Sequence, residues 1–275
     1  MADKVNLSAA VRTNLLTLQK TDRVITQTQD RLATGLKVNS AQDDASAFFS
    51  SRALTFRADD LNSIKENIDL GISTITSALN GIDAITELVE QAKGLANNAK
   101  ATGSLTERST LAKQFNDILS QIDDLTKDSS FNGTNLLKTT PDNLIVDFNE
   151  NGSSKLTITG LDMTTAAAGL NIANAANNFG STANVNVAIT AVNAALVELR
   201  ANASTLGSNS SVLTARLNFT EDLSNTLLEG AGKLTLADLN QESANLLSLQ
   251  TRQQLGLNSL ALASQSERAV LALFG

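Results

Sequence analysis

Apolar residues recur every seven positions along two long stretches of the chain, and this repeat constrains the fold more than any other feature. In residues 61–99 one column holds Leu61, Ile68, Ile75, Ile82, Val89 and Ala96, and a second holds Ile64, Gly71, Ala78, Ile85, Ala92 and Ala99. A similar repeat returns from about Val185, with columns that contain Val192, Leu199, Leu206, Leu213 and Leu227, and Ile189, Leu196, Ala203 and Leu217. Heptads predict helices that bury one stripe against partners. We therefore expect a mainly α fold, a long antiparallel helical coiled-coil bundle.

A third apolar column, near the N-terminus, is out of register with the first long one. It contains Val11, Leu18, Ile25 and Leu32, and its step to Leu61 is one residue more than a whole number of heptads. One straight helix cannot present both columns on a single face. The residues between them suit a break, because Gly35 can end a helix in the left-handed conformation and Ser40 followed by Asp43 resembles a capping box. Asp43 and Asp44 would place negative charge in the first turn of the next helix.

The spacing of apolar residues changes in the middle of the chain. Residues 105–125 are amphipathic and follow the connector KATGS, so a helical hairpin is expected, and we take the Asn80–Gly81 pair as tolerated within its first helix. SSFNGTNLL, residues 129–137, contains an Asn–Gly turn, and alternation around 144–148 and 155–159 then predicts a β-hairpin. Residues 160–184 have weak periodicity and few charges, and we expect a dispensable surface excursion.

The order of these elements is roughly palindromic, with long helices on both sides of a β-containing middle. We predict a terminal helical domain from residues 1–40 and 235–275, a long-rod helical domain from 41–143 and 185–234, and a short surface region at 144–184. The final helix, expected to begin after the glycine pair of EGAGKL, is apolar on several sides. A single copy of the chain cannot cover all the apolar sides of such a helix. The predicted assembly contacts are therefore Val11, Leu15, Leu18, Ile25, Leu32, Leu246, Leu249, Leu257, Leu260 and Phe274.

Composition excludes several classes of function. The net charge is -7 and no Lys/Arg stripe is present, which argues against nucleic acid as a partner. The chain has neither Cys nor His, so the usual metal ligands and the usual general base are missing. Asp43 with Asp44 lacks the further ligands of a calcium loop and is better explained as a helix cap. We expect no enzyme activity, no cofactor and no metal.

The sequence also gives no sign of a membrane segment or a cleaved leader. No window approaches eighteen consecutive apolar residues, so we expect no membrane span. The N-terminus, MADKVNLSAAVRTNLL, carries charges and lacks an apolar run followed by a small-residue cleavage site, so it is not a standard secretory signal.

Three motifs in the same order resemble those of bacterial flagellins. TGLKVNSAQDDASAF resembles their N-terminal motif TG-x-x-I-NSA-x-DDAA, SSFNGTNLL resembles their Phe-Asn-Gly-x-x-Leu-Leu element, and the tail from LGSNSSVLTARLNF onward is similar to their C-terminal region, in the style of alphaproteobacterial members. Roughly the first 140 and last 90 residues are covered. The resemblance implies a secreted, extracellular filament subunit that serves motility, exported through the flagellar type III channel without a cleaved signal. It also implies termini that form an inner tube inside a shell of paired helices.

The resemblance further implies partners for the chain. These are other copies of itself in a helical polymer, an export chaperone, and filament cap and junction proteins. Many flagellins carry Gln-Arg-Val-Arg-Glu-Leu on the first long helix, which Toll-like receptor 5 reads; here Glu87 and Leu88 remain, but Ala84 and Thr86 replace the arginines. Weak receptor recognition is expected. The alternatives are a hook-filament junction protein and a type III-secreted helical effector.

Overall fold

The structure, a computed structural model, describes residues 9–274, without the side chains of Ala10, Glu267 and residues 270–274. Within this range the elements are α1 (Ala9–Thr34), α2 (Ala45–Ala101), α3 (Leu105–Asp128), β1 (Leu144–Asp147), β2 (Lys155–Ile158), a 3₁₀ turn (Ala176–Phe179), α4 (Thr182–Thr235) and α5 (Leu239–Phe274). They confirm the mainly helical fold with a small β-hairpin in its middle. The chain divides into a terminal unit, Met1–Phe56 with Thr226–Gly275, and a central unit, Arg57–Asn225.

The core of the central unit consists of the heptad columns. Every residue of both columns between 61 and 99 is buried. On α3 the buried residues include Phe115, Leu119 and Ile122, and on α4 they include Val192, Leu199, Leu206 and Leu213. The Ser224 hydroxyl of α4 donates to the backbone oxygen of Ala58 on α2 (3.3 Å). The bundle is therefore held by a regular aliphatic seam, as the seven-residue period requires.

Gly81 lies inside α2 for a packing reason that the sequence does not reveal. A Cβ atom at this position would lie 2.8 Å from Cδ1 of Leu137 and 2.9 Å from Cβ of Ser129. Both neighbours belong to the segment that follows α3. Glycine is therefore needed because this segment approaches the helix backbone too closely for a side chain.

Asn135 fixes that segment in place. Asn132 and Gly133 form the expected turn, with φ of 48° and 82°, and the backbone groups of Phe131 and Thr134 pair across it. The Asn135 side chain, which is 4% exposed, then donates to two backbone oxygens at the end of α3 and accepts from two backbone amides that follow it. One buried side chain thus makes four hydrogen bonds that hold this loop against the helix end.

The β-hairpin has the predicted strands. β1 and β2 pair antiparallel, with Leu144 opposite Ile158 and Asp147 opposite Lys155. Val146 points at α2, where a Cβ on Gly71 would lie 2.8 Å from its Cγ2. The hairpin therefore packs on the helix through the position where the heptad column has its smallest residue.

Residues 160–184 contribute side chains to the core, whereas we predicted a surface excursion. Met163, Leu170, Ile172 and Phe179 are each at most 2% exposed, and the rings of Phe179 and Phe115 meet edge to face at 5.4 Å. The Asp123 carboxylate of α3 accepts hydrogen bonds from the amide and hydroxyl of Thr165 (2.7 and 3.0 Å). These apolar residues have no regular spacing, so the sequence pattern did not show that the segment contributes to the core.

One further expectation about α4 needs correction, and one finding bears on the expected absence of a membrane span. The glycine pair of EGAGKL does not end a helix, because α4 continues through both glycines to Thr235. A window of α4 is also long and apolar enough to cross a membrane by length and composition alone, although its apolar run is interrupted by Asn and Thr. A third of that window is buried, and core helices of soluble proteins pass the same test.

Candidate assembly surface

Helices α1 and α5 pair with each other in the terminal unit. They run antiparallel, so that Arg31 near the end of α1 forms an ion pair with Glu242 near the start of α5 (3.1 Å), and Gln253 donates to Asp22 (3.2 Å). The half-buried positions of α5 recur at alternating steps of four and three residues: Glu242, Leu246, Leu249, Gln253, Gly256, Leu260 and Ala263. This spacing defines one helix face, which is directed at α1.

The residues predicted as assembly contacts occupy two different environments. Val11 and Ile25 are buried, at 5% and 7% exposure, and Leu18, Leu32, Leu246, Leu249 and Leu260 are half-buried. Leu15 and Leu257 are more exposed, at 37% and 50%, and together line an open groove with Val11 and Leu260. The side chain of Phe274 lies outside the described residues.

The pairing face of α1 also contains residues that apolar periodicity misses. Thr21 and Thr28 are 7% and 4% exposed, and each follows an apolar column residue by three positions. The hydroxyl of Thr21 donates to the Thr17 backbone oxygen, which satisfies it within the helix. On α5, Gly256 allows the close approach, because a Cβ there would lie 2.7 Å from Cδ1 of Leu18. In the sequence, only their i+3 spacing from Leu18 and Ile25 marks the two threonines as part of this face.

The faces of both helices that are directed away from this pairing remain apolar. On α5, Leu247, Leu255 and Leu262 are 67%, 64% and 71% exposed, and at 100° per residue they lie opposite the face that meets α1. On α1, Leu16 lies opposite the pairing face and is 56% exposed. Large aliphatic side chains on the outward side of a helix pair indicate a surface that another molecule covers.

The junction between α1 and α2 is a compact, hydrogen-bonded turn. Gly35 follows the end of α1 with φ of 72°, and its amide donates to the Arg31 oxygen (2.8 Å). The Asp43 carboxylate accepts from the amides of Asn39 and Ser40 (3.1 and 3.0 Å), and these backbone bonds lower the pKa of Asp43 from its usual value. Asp44 is the residue that caps α2, since its Oδ1 accepts from the Ala47 amide (3.0 Å).

The four residues at the place of the receptor-recognition motif all lie on α2 in the central unit. Ala84, Thr86 and Leu88 are half-buried and Glu87 is exposed. The hydroxyl of Thr86 donates to the Ile82 backbone oxygen (2.7 Å). None of the four supplies a positive charge, so this surface cannot offer the paired guanidinium groups of that motif.

Two further carboxylates with lowered pKa values, Asp142 and Glu229, form local hydrogen bonds. No group of three or more acidic side chains that could hold a metal ion occurs among the described residues. The pKa of Asp142 is lowered by its bonds with the Lys138 side chain and the Asn135 amide, and that of Glu229 by the Lys233 ammonium. These carboxylates form local ion pairs, Asp142 at a half-buried position and Glu229 at an exposed one.

Two family models of known proteins match the N-terminal and C-terminal parts of the chain. Residues 5–141 match the family model of the bacterial flagellin N-terminal helical region, and residues 189–274 match that of the C-terminal helical region. The chain is 32% identical over 273 residues to flagellin FljM of Caulobacter vibrioides, which covers 99% of this chain and 98% of that protein. It is 30% identical over 285 residues to a flagellin of Brucella melitensis, covering 100% and 99%. A crystal structure of Bacillus cereus flagellin aligns with a TM-score of 0.49 at 20% identity, over 56% of this chain and 88% of that one.

Proposed function

The chain belongs to the bacterial flagellin family and is a structural subunit of the flagellar filament, and we propose that it polymerises through the outward apolar faces of α1 and α5. It is not an enzyme. The single observation that carries this assignment of the contact is the exposure of Leu247, Leu255 and Leu262 on the side of α5 that faces away from α1.

The pairing residues and the outward residues have separate tasks in this proposal. Val11 and Ile25 are covered within one copy, so they hold α1 to α5 and fix the direction in which the outer leucines point. Leu15 and Leu257 border the groove at the edge of the pair and are available to a neighbour. Burying one leucine contributes about 1.5–3 kcal/mol, so a few per subunit suffice for a repeating contact. A repeated contact of unlike surfaces that does not close produces a helical polymer.

The domains predicted from the sequence extend this proposal to the whole filament. Residues 1–40 with 235–275 would form the inner tube and 41–143 with 185–234 the surrounding shell. Residues 144–184 would lie on the outer side of the filament, with Met163 and Phe179 of this region packed into the core. Exposed Val187, Val197 and Phe219, at 68%, 67% and 58%, support a contact role for α4 in the shell. Secretion by the flagellar export channel, guarding of α5 by a chaperone, and contact with cap and junction proteins follow as proposals from family membership. Weak Toll-like receptor 5 recognition follows from Ala84 and Thr86.

Leu255→Asp and Leu257→Asp test the assembly contact. Each should raise the critical concentration for seeded polymerisation by at least about tenfold, because a carboxylate would replace an apolar group at a buried contact and 1.4 kcal/mol corresponds to a factor of ten. Removal of residues 246–275 should abolish filaments. Sedimentation and electron microscopy measure polymer, and circular dichroism verifies that the monomer stays helical.

Leu105→Asp is the matched control. Leu105 is 64% exposed, as Leu255 is, but it starts α3 in the central unit. It should polymerise like the unmodified chain. Normal filaments from Leu255→Asp or Leu257→Asp would refute the assigned contact, and failure of the unmodified chain to polymerise on seeds would refute polymerisation itself.

A further inference from the structure

Three phenylalanines stand together on the first three turns of α2. The chain has nine Phe and no Trp or Tyr, so a third of its aromatic residues lie within nine positions. Phe49 and Phe56 are 64% and 55% exposed, and Phe48 is half-buried. We call Phe48, Phe49, Arg52 and Phe56 the aromatic patch. In a single copy most of this large apolar surface remains in water.

Arg52 lies between two of these rings. Its guanidinium carbon is 4.9 Å from the centroid of the Phe56 ring and 5.9 Å from that of Phe48, as the i, i+4, i+8 spacing on a helix allows. Phe48 and Phe49 in turn meet edge to face at 5.5 Å. Within the described part of the chain, no carboxylate forms an ion pair with Arg52. The rings therefore hold a guanidinium group whose N–H donors are not committed to a carboxylate.

Hydrogen bonds hold the start of α2 and the loop before it to the end of α4 and the residues that follow it. The Lys37 amide donates to the Thr235 oxygen (2.8 Å), and the Ala237 amide donates to the Gly35 oxygen (2.9 Å). On α2 itself, the hydroxyl of buried Ser51 donates to the Ala231 oxygen (3.2 Å). The Ser51 bond holds the second turn of α2 against the last turns of α4, and the other two bonds hold the preceding loop. The backbone that carries the rings is therefore ordered before binding, which removes that part of the entropic cost.

We propose that the aromatic patch is a docking site for a second copy of this chain, in addition to the α1 and α5 contact. This inference rests on the proposed function, because it names a further contact of the same polymer. Aromatic residues and arginine are the residue types enriched at the buried centres of protein interfaces. A second copy carries a net charge of -7 and so offers carboxylates to the uncommitted Arg52 guanidinium.

The charge of Arg52 also determines the geometry of the contact. If two copies met patch to patch, two uncommitted guanidinium groups would face each other, and like charges at an interface are unfavourable. The patch therefore contacts a different surface of its neighbour, one that is apolar and bears a carboxylate. Contacts between unlike surfaces propagate into an open helical polymer rather than closing into a dimer.

Hydroxyl-radical footprinting of monomer and filament tests the proposal directly. Phe49 and Phe56 react in the monomer, and their oxidation should fall by about tenfold or more in filaments as they become buried. Phe115 and Phe179, which are fully buried in the single copy, should remain unreactive in both states and so verify that the fold is intact. Unchanged oxidation of Phe49 and Phe56 in well-formed filaments would overturn the proposal while leaving polymerisation established.

Substitutions provide a second, independent measurement. Phe49→Ser should raise the critical concentration by about tenfold or more, and Arg52→Gln should also raise it, whereas Leu105→Ser should not. Leu105 matches Phe49 in exposure, at 64% each. All three side chains are exposed, so the thermal unfolding of the monomer should not change. Equal critical concentrations for Phe49→Ser and the unmodified chain would contradict the proposal. If the unmodified chain forms no filaments, the proposed function fails first and this contact fails with it.

Discussion

Two glycines in the same helix should respond differently to replacement by alanine. Gly81 and Gly94 both lie in the interior of α2. A Cβ at Gly94 would meet no atom within 4 Å, whereas one at Gly81 would lie within 3 Å of side-chain atoms of Ser129 and Leu137. The two substitutions thus share the change in helix propensity and differ only in packing.

The magnitudes follow from these two contributions. Alanine is favoured over glycine by about 0.8–1.0 kcal/mol in a helix interior, so Gly94→Ala should stabilise the monomer by roughly 1 kcal/mol. Gly81→Ala gains the same amount but adds a methyl group to a packed core, which typically costs about 1–3 kcal/mol. Ser129 cannot move freely, because its amide and hydroxyl both donate to the Leu125 oxygen (3.0 and 2.7 Å). The Gly81 variant should therefore be less stable than the Gly94 variant by about 1–3 kcal/mol.

Urea unfolding of the monomer, followed by far-ultraviolet circular dichroism, measures this difference. Gly207→Ala in α4 is a control, since no atom lies within 4 Å of its added Cβ, and it should stabilise as Gly94→Ala does. If Gly81→Ala stabilised the protein as much as Gly94→Ala, the segment after α3 would not approach α2 closely, and this explanation of the Asn–Gly pair would be refuted.

Two other predictions concern the loop after α3 and the receptor motif. Asn135→Ala should lower the free energy of unfolding by about 3 kcal/mol, because it leaves four backbone groups without their partner. Asn97→Ala, at an exposed position of α2, should leave the free energy of unfolding unchanged. An Asn135→Ala variant with an unchanged urea midpoint would contradict the bonding described. Purified monomer should activate a Toll-like receptor 5 reporter cell only weakly, and a double substitution of Ala84 and Thr86 to arginine tests whether the missing charges are the cause; strong activation by the unmodified chain would disprove this expectation.

The position of helices was determined by the sequence because their signals are local. A helix places Ile68, Ile75 and Ile82 on one face whatever it packs against, because they are seven residues apart. Every member of those columns is buried. The Asn132–Gly133 turn and the two strands were predicted for the same reason, since turn residues and a period of two act within a few positions.

Contacts between distant segments were decided by the tertiary structure alone. No local pattern shows that Leu137 approaches Gly81 and that no neighbour approaches Gly94. The segment that contains Met163 and Phe179 packs into the core although its apolar residues have no regular spacing. On the terminal helices the sequence shows which residues are apolar. Only the pairing of α1 with α5 decides that Ile25 is covered at 7% exposure and that Leu262 remains outside at 71%, because one helix face can meet only one partner.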